Sequence, residues 1–210
     1  MPYEKDFDFE AHIDNLVEIS ENIEEGKITI LTGSNGYGKS LIRKLLGLAS
    51  PNMKVASVSM ERRTSHNLEY GALSGLAMDD PWVATSVSTY RLIKALLKTE
   101  ERFLVIDEPE IGMSKEVLLG FINKLLDIVK TLRDEGKFKG LLIITHNDFF
   151  VKNMKYDRFI NIEGFTLSQW QKRKIVPIDP EDLVEWTNKM HAAVQARING
   201  NKEAKGENKK

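Results

Sequence analysis

Gly33-Ser34-Asn35-Gly36-Tyr37-Gly38-Lys39-Ser40 fits the pattern G-x-x-x-x-G-K-[ST] at every fixed position. These residue types suit a polyphosphate. Glycines let the backbone curl until several N–H groups converge on one anion with no side chain in the way. Lys39 is placed to reach the β- and γ-phosphates, and the Ser40 hydroxyl to hold Mg²⁺. Leu41, next on the chain, closes the stretch expected to bind the nucleotide. The loop predicts a nucleoside triphosphate site.

Two further clusters supply complementary chemistry. Asp107 follows the apolar run Phe103-Leu104-Val105-Ile106, where a carboxylate can hold the Mg²⁺ shell opposite Ser40. Glu108 is one residue on, placed to orient or deprotonate a water for in-line attack on the γ-phosphate. An acidic helix-capping turn would also explain this pair, but a phosphate loop upstream needs a carboxylate partner. His146 ends a second apolar run, Leu141 to Ile144, where its imidazole can contact the γ-phosphate or the attacking water.

These groups must be carried by strands and helices. Ile28, Ile30 and Leu31 form a short buried-strand pattern before the loop, and Leu41, Ile42, Leu45, Leu46 and Leu48 follow it at helical spacing. The helix would aim its positive N-terminal end at the same anion. Val55 to Met60 reads as a second strand, residues 61–81 as a polar loop, and Val83 to Lys98 as a helix. The run 103–106 has the composition of a strand buried on both faces of a parallel sheet. Ser114 is a candidate N-cap for a helix to about Arg133. Arg158 to Ile162 reads as a strand, and Glu163-Gly164 as a turn into an edge hairpin over Phe165 to Trp170. Asp179-Pro180 starts a last helix to about Ala196, with Pro180 at its first position. Alternating strands and helices predict an α/β fold with a mostly parallel sheet and its ligand at the carboxyl ends of the strands. We expect one domain over residues 1–198 and a disordered charged tail over 199–210.

Composition sets the outer limits. The chain has 210 residues, 41% hydrophobic and 29% charged, with no cysteine, so neither a disulfide frame nor a thiolate metal site is expected. No apolar run approaches the roughly 20 residues of a membrane span. Met1 to Glu10 lacks the layout of a signal peptide, making the cytoplasm the expected compartment. A net charge of −1 gives no global pull toward nucleic acid. The basic and aromatic cluster Trp170, Lys172, Arg173 and Lys174 leaves nucleic acid possible, and a solvated face explains it equally well. An aromatic residue before the loop, Phe7 or Phe9, either stacks on a nucleobase or packs in the core.

Taken together, the motifs Gly33 to Ser40, Val105-Ile106-Asp107-Glu108-Pro109-Glu110 and Ile144-Thr145-His146 resemble the Walker A, Walker B and switch-histidine motifs of ABC-type ATPases. The resemblance covers about residues 20–165. Asn35-Gly36 and the Asp-Glu-Pro-Glu run look more like the soluble RecF-, SMC- and OLD-type members than like transporter subunits. The resemblance implies ATP and Mg²⁺ as cofactors, with Glu108 as catalytic base, Asp107 and Ser40 at the metal, and His146 as γ-phosphate sensor. It also implies that hydrolysis needs two such domains facing each other, as a homodimer on ATP or with a partner protein.

The chain departs from the family at the signature preceding Walker B. Family members carry a Leu-Ser-Gly-Gly-Gln-like run, whereas this chain has Ala84-Thr85-Ser86-Val87-Ser88-Thr89. Ser86 is the best match for the signature serine that would reach across to the partner's nucleotide. No Gln-loop glutamine follows Met60, and the short stretch from Lys39 to Asp107 implies a reduced helical subdomain. Two readings follow: an ATPase head that gates a partner, of the DNA-repair or anti-phage type, or a nucleotide-sensing module with little hydrolysis. A small-molecule kinase is a third, with Arg62-Arg63 the one arginine cluster before Asp107 that could serve a transferring phosphate.

Overall fold

The computed structural model describes residues 7–39, 41–42, 45–46, 55–58, 103–174, 177 and 179–207, with side chains described as far as residue 197. Ser40, Arg62, Arg63, Ser86 and the expected elements over 61–98 lie outside the described residues, and so does the reduced helical subdomain.

Five strands form one sheet: β1 (Ile28–Thr32), β2 (Val55–Val58), β3 (Phe103–Asp107), β4 (Leu141–Ile144) and β5 (Arg158–Asn161). Their spatial order is β2-β3-β4-β1-β5, and every pairing is parallel. β1, β3 and β4 are buried at every position. This is why they read as largely apolar runs, with only Thr29, Thr32 and Asp107 polar: a parallel sheet is covered by helices on both faces.

Successive residues point to opposite faces. On one face Ile30, Leu104, Ile106, Leu141 and Ile143 pack with helix α2 (Lys115–Asp134) and the short helix α3 (Asp148–Asn153). On the other, Leu31, Val105, Leu142 and Ile144 meet Leu41, Ile42, Leu45 and Leu46 after the loop, helix α1 (Phe9–Glu21) and the C-terminal helix α5 (Pro180–Glu207). Ser114 caps α2, its Oγ accepting from Val117 N–H at 3.4 Å, and Asp8 caps α1 by accepting from Ala11 N–H at 2.9 Å.

Two local expectations change. Strand β5 runs parallel to β1, and the chain beyond it forms helix α4 (Leu167–Lys172) instead of an edge hairpin. A reciprocal capping box between Thr166 and Gln169 starts α4, and Leu167 and Trp170, one turn apart, both face the core. Helix α5 continues through 199–207, where a disordered tail was expected. That segment has no proline to break the helix, and it prolongs one already anchored by Trp186, Met190 and Val194.

The basic and aromatic cluster is also resolved. Trp170 is 1% exposed, and the Arg173 guanidinium lies 4.2 Å over its ring while bonding the Trp170 carbonyl at 2.6 Å. The indole face is thus used inside the fold and is not open to a base. Among the described residues no helix is long and apolar enough to cross a membrane.

Candidate nucleotide site

Parallel register aligns four strand ends on one edge. Ile144 of β4 lies beside both Leu31 of β1 and Asp107 of β3, and Asn161 of β5 lies beside Thr32. The glycine loop, Asp107-Glu108, Thr145-His146 and Ile162-Glu163 therefore leave the sheet side by side. The order of connections reverses about β1, the place where open α/β sheets form a ligand crevice.

Gly36 and Gly38 have φ of 82° and 86°, the left-handed region that glycine enters without penalty. A Cβ on Gly36 would also meet Leu183 Cδ1 at 2.9 Å, and one on Gly38 would meet Leu16 Cδ1 at 2.7 Å. A Cβ on Gly33 would collide with Ile162. The loop thus needs its glycines for backbone shape and for close packing against α5 and α1. Lys39 is 7% exposed, and its ammonium donates to the carbonyls of Gly33 at 2.7 Å and Ser34 at 2.9 Å. Burial pulls its pKa below the ordinary lysine value, while Glu108, Asp107, Glu163 and Glu110 act in the opposite sense.

Asp107 is buried at the end of β3. Glu108, immediately after it, has φ of 51° and is the one non-glycine residue with positive φ among those described. That conformation costs about 1–2 kcal/mol. It is held in place by the Glu108 N–H, which donates to Ile144 O at 2.8 Å and extends the β3–β4 ladder into the turn. The Glu108 carboxylate reaches His146 Nδ1 at 3.3 Å. Its hydrogen bond is the largest cause of the raised His146 pKa.

Behind this pair lies a buried acid that the sequence pattern contains without assigning it a role. Glu110 is 7% exposed; its Oε1 accepts from the Thr145 hydroxyl at 2.6 Å, and its Oε2 has no partner. Thr145 Oγ1 also accepts from Asn147 N–H at 3.0 Å, so one hydroxyl joins the turn after β3 to the turn after β4. Thr145→Val keeps the shape and removes that hydroxyl. We expect a loss of about 2–3 kcal/mol and a fall in Tm of roughly 5–10 °C, read in thermal melts at pH 8. Burial raises the Glu110 pKa above its ordinary 4.5. The folded chain therefore takes up this proton at a higher pH than the unfolded chain. The associated stability is complete below the unfolded value and is lost as pH rises through the folded one. The Thr145→Val deficit should narrow toward about pH 5; an equal deficit at both pH values would rule out Glu110 as its source.

Glu163 also belongs to the edge. Its carboxylate accepts from Ser34 N–H at 2.6 Å and from Ser34 Oγ at 3.0 Å. Asn161 shapes the turn that delivers it, with Oδ1 accepting from Glu163 N–H at 2.9 Å and Phe165 N–H at 3.1 Å. Reading 158–162 as a strand parallel to β1, rather than as one arm of a hairpin, would have placed Glu163 beside the glycine loop. Next to it is a cavity of about 680 Å³ lined by Phe7, His12, Asn15, Tyr37 and Ile162 to Phe165. Asn35 lies in the tight turn of the loop, and Leu41 is buried in the core behind it. Among the described residues no group of three or more His, Cys, Asp or Glu side chains is arranged to hold a metal. Asp107 supplies an oxygen donor suited to a metal that takes its remaining ligands from phosphate and water.

Comparison with known proteins gives a distant likeness. The chain is 22% identical over 188 residues to the energy-coupling factor transporter ATP-binding protein EcfA1 of Thermotoga maritima, covering 67% of this chain and 70% of that protein. No family model matches. A solved structure of C. elegans PCH-2 aligns with a TM-score of 0.31 and 17% identity, over 72% of this chain and 42% of that one. With a glycine loop joining β1 to a helix at the edge of an all-parallel sheet, the fold is that of a P-loop NTPase.

Proposed function

We propose that the chain is an ABC-type ATPase head that binds Mg-ATP at its glycine loop and hydrolyses it. The observation that carries this reading is the convergence of Lys39, Asp107, Glu108 and His146 on one sheet edge around that loop. The triphosphate would lie against the N–H groups of the loop with Lys39 on its outer phosphates, and the nucleoside would enter the cavity of about 680 Å³, a volume suited to it. Asp107 and Ser40 would hold Mg²⁺, whose charge would neutralise the phosphate oxygens. Glu108 would orient the attacking water and accept its proton, and His146, 3.3 Å from the Glu108 carboxylate, would contact the γ-phosphate. Catalysis of this kind rests on positioning and electrostatics.

Hydrolysis is favoured over nucleotide sensing alone by the Glu108–His146 pair, since a pure binder needs no base. The soluble RecF-, SMC- and OLD-like motifs favour a head that works as an ATP-dependent homodimer or on a partner protein, through Ser86 as the contact across the interface. The relative from Thermotoga maritima is a transporter ATP-binding protein, so the soluble class rests on the motifs. Calorimetric titration with ATP, followed by phosphate release in Mg²⁺, tests the reading. Binding with slow turnover is expected. Binding without turnover selects the sensing module, and absence of binding removes the site.

A further inference from the structure

The outer wall of the glycine loop is built from the two ends of the described chain. On one side Trp186 of α5 donates its indole N–H to the Gly36 carbonyl at 3.0 Å. On the other, His12 Nε2 of α1 lies 3.0 Å from the Tyr37 carbonyl. A carbonyl only accepts, so Nε2 carries the proton in this contact. The two helices are fastened together around the loop: Phe7 and Trp186 rings lie 4.4 Å apart, and Arg197 of α5 pairs with Asp14 of α1 at 2.8 Å. Trp186 is 5% exposed, with Met190 and Val194 buried on the same helix.

We propose that His12 and Trp186 are positioning residues that aim the phosphate-binding amides of the loop. This rests on the reading of Gly33 to Ser40 as a triphosphate site. The physical link is the trans peptide, in which the C=O of one residue and the N–H of the next point in opposite directions; the described chain has no cis bond. Drawing the Gly36 carbonyl outward to the indole turns the Tyr37 N–H inward. Drawing the Tyr37 carbonyl outward to His12 turns the Gly38 N–H inward. The Tyr37 N–H does face that way: it makes a 3.4 Å contact with Ser34 O, the same oxygen that Lys39 Nζ holds at 2.9 Å. Successive inward N–H groups make an anion nest, and holding them before the ligand arrives lowers the ordering cost of binding.

The effect acts through the phosphate-binding amides, and because His12 also lines the cavity proposed for the nucleoside, a ligand with phosphates and no nucleoside isolates it. Full-length wild type, Trp186→Phe, His12→Ala and His12→Gln are titrated calorimetrically with ATP and with inorganic tripolyphosphate, at a temperature well below each melting point. Trp186→Phe is expected to weaken both ligands by the same factor, about five- to tenfold, and His12→Ala to weaken tripolyphosphate by that factor and ATP by at least as much. His12→Gln, which keeps a donor, is expected to recover most of the loss. A role confined to packing would lower the melting temperature and leave both affinities unchanged, and that result overturns the proposal. So does a loss seen with ATP but not with tripolyphosphate. Should Trp186→Phe fail to fold, the two His12 variants decide the question. A wild type that binds neither ligand removes the triphosphate site itself, and this inference with it.

Discussion

Glu108→Gln is expected to lower ATP turnover by about 10²–10⁴-fold while leaving ATP bound. Glutamine keeps the size of the side chain and its ability to orient a water, but it cannot take the water's proton. The substitution keeps the backbone anchor of the left-handed Glu108, since its N–H bond to Ile144 O at 2.8 Å does not involve the side chain. Phosphate release measures the first half of the expectation, and retention of ATP through gel filtration the second. Turnover within threefold of wild type would mean that Glu108 is not the base. The same variant answers how the head is completed. Light scattering with Mg-ATP that shows a dimer would make Ser86 a contact across the interface. A monomer with ATP bound would place the missing half-site on another protein.

Lys39→Met is expected to weaken ATP binding by about 100-fold or more, the loss of charge-assisted bonds to two phosphates. Thermal stability without nucleotide should fall as well. Lys39 is 7% exposed and bonded to two loop carbonyls, and its charge offsets Glu108, Asp107, Glu163 and Glu110, so methionine leaves those groups uncompensated. The rise in melting temperature that ATP gives the wild type should then disappear, since ligand stabilisation follows affinity. A variant that still gains the wild-type increment from ATP would show that Lys39 does not touch the phosphates.

Glu108→Gln and Lys39→Met test roles that local sequence made legible. A glycine loop needs residues at fixed spacing along a few bonds of backbone, so Gly33 to Ser40 announces itself whatever the rest of the chain does. Strands β1, β3 and β4 were equally legible, because burial on both faces leaves few polar residues along them. Strand β5 was harder to read. Three of its four residues are only half-buried, and the following Glu163-Gly164 resembles a hairpin turn. Its parallel pairing with β1 depends on residues more than a hundred positions away.

By itself, then, the sequence determined the chemistry that local spacing can encode: a polyphosphate loop, an acidic pair ending one buried strand, and a histidine ending another. Tertiary structure decided which other groups join them. Glu163 on Ser34, Glu110 on Thr145, and His12 and Trp186 on the loop carbonyls are pairs separated by between 25 and 150 residues along the chain. No periodicity or motif encodes such contacts, because a hydrogen bond depends on distance in space, and only the strand order and the packing of the terminal helices bring these atoms within reach.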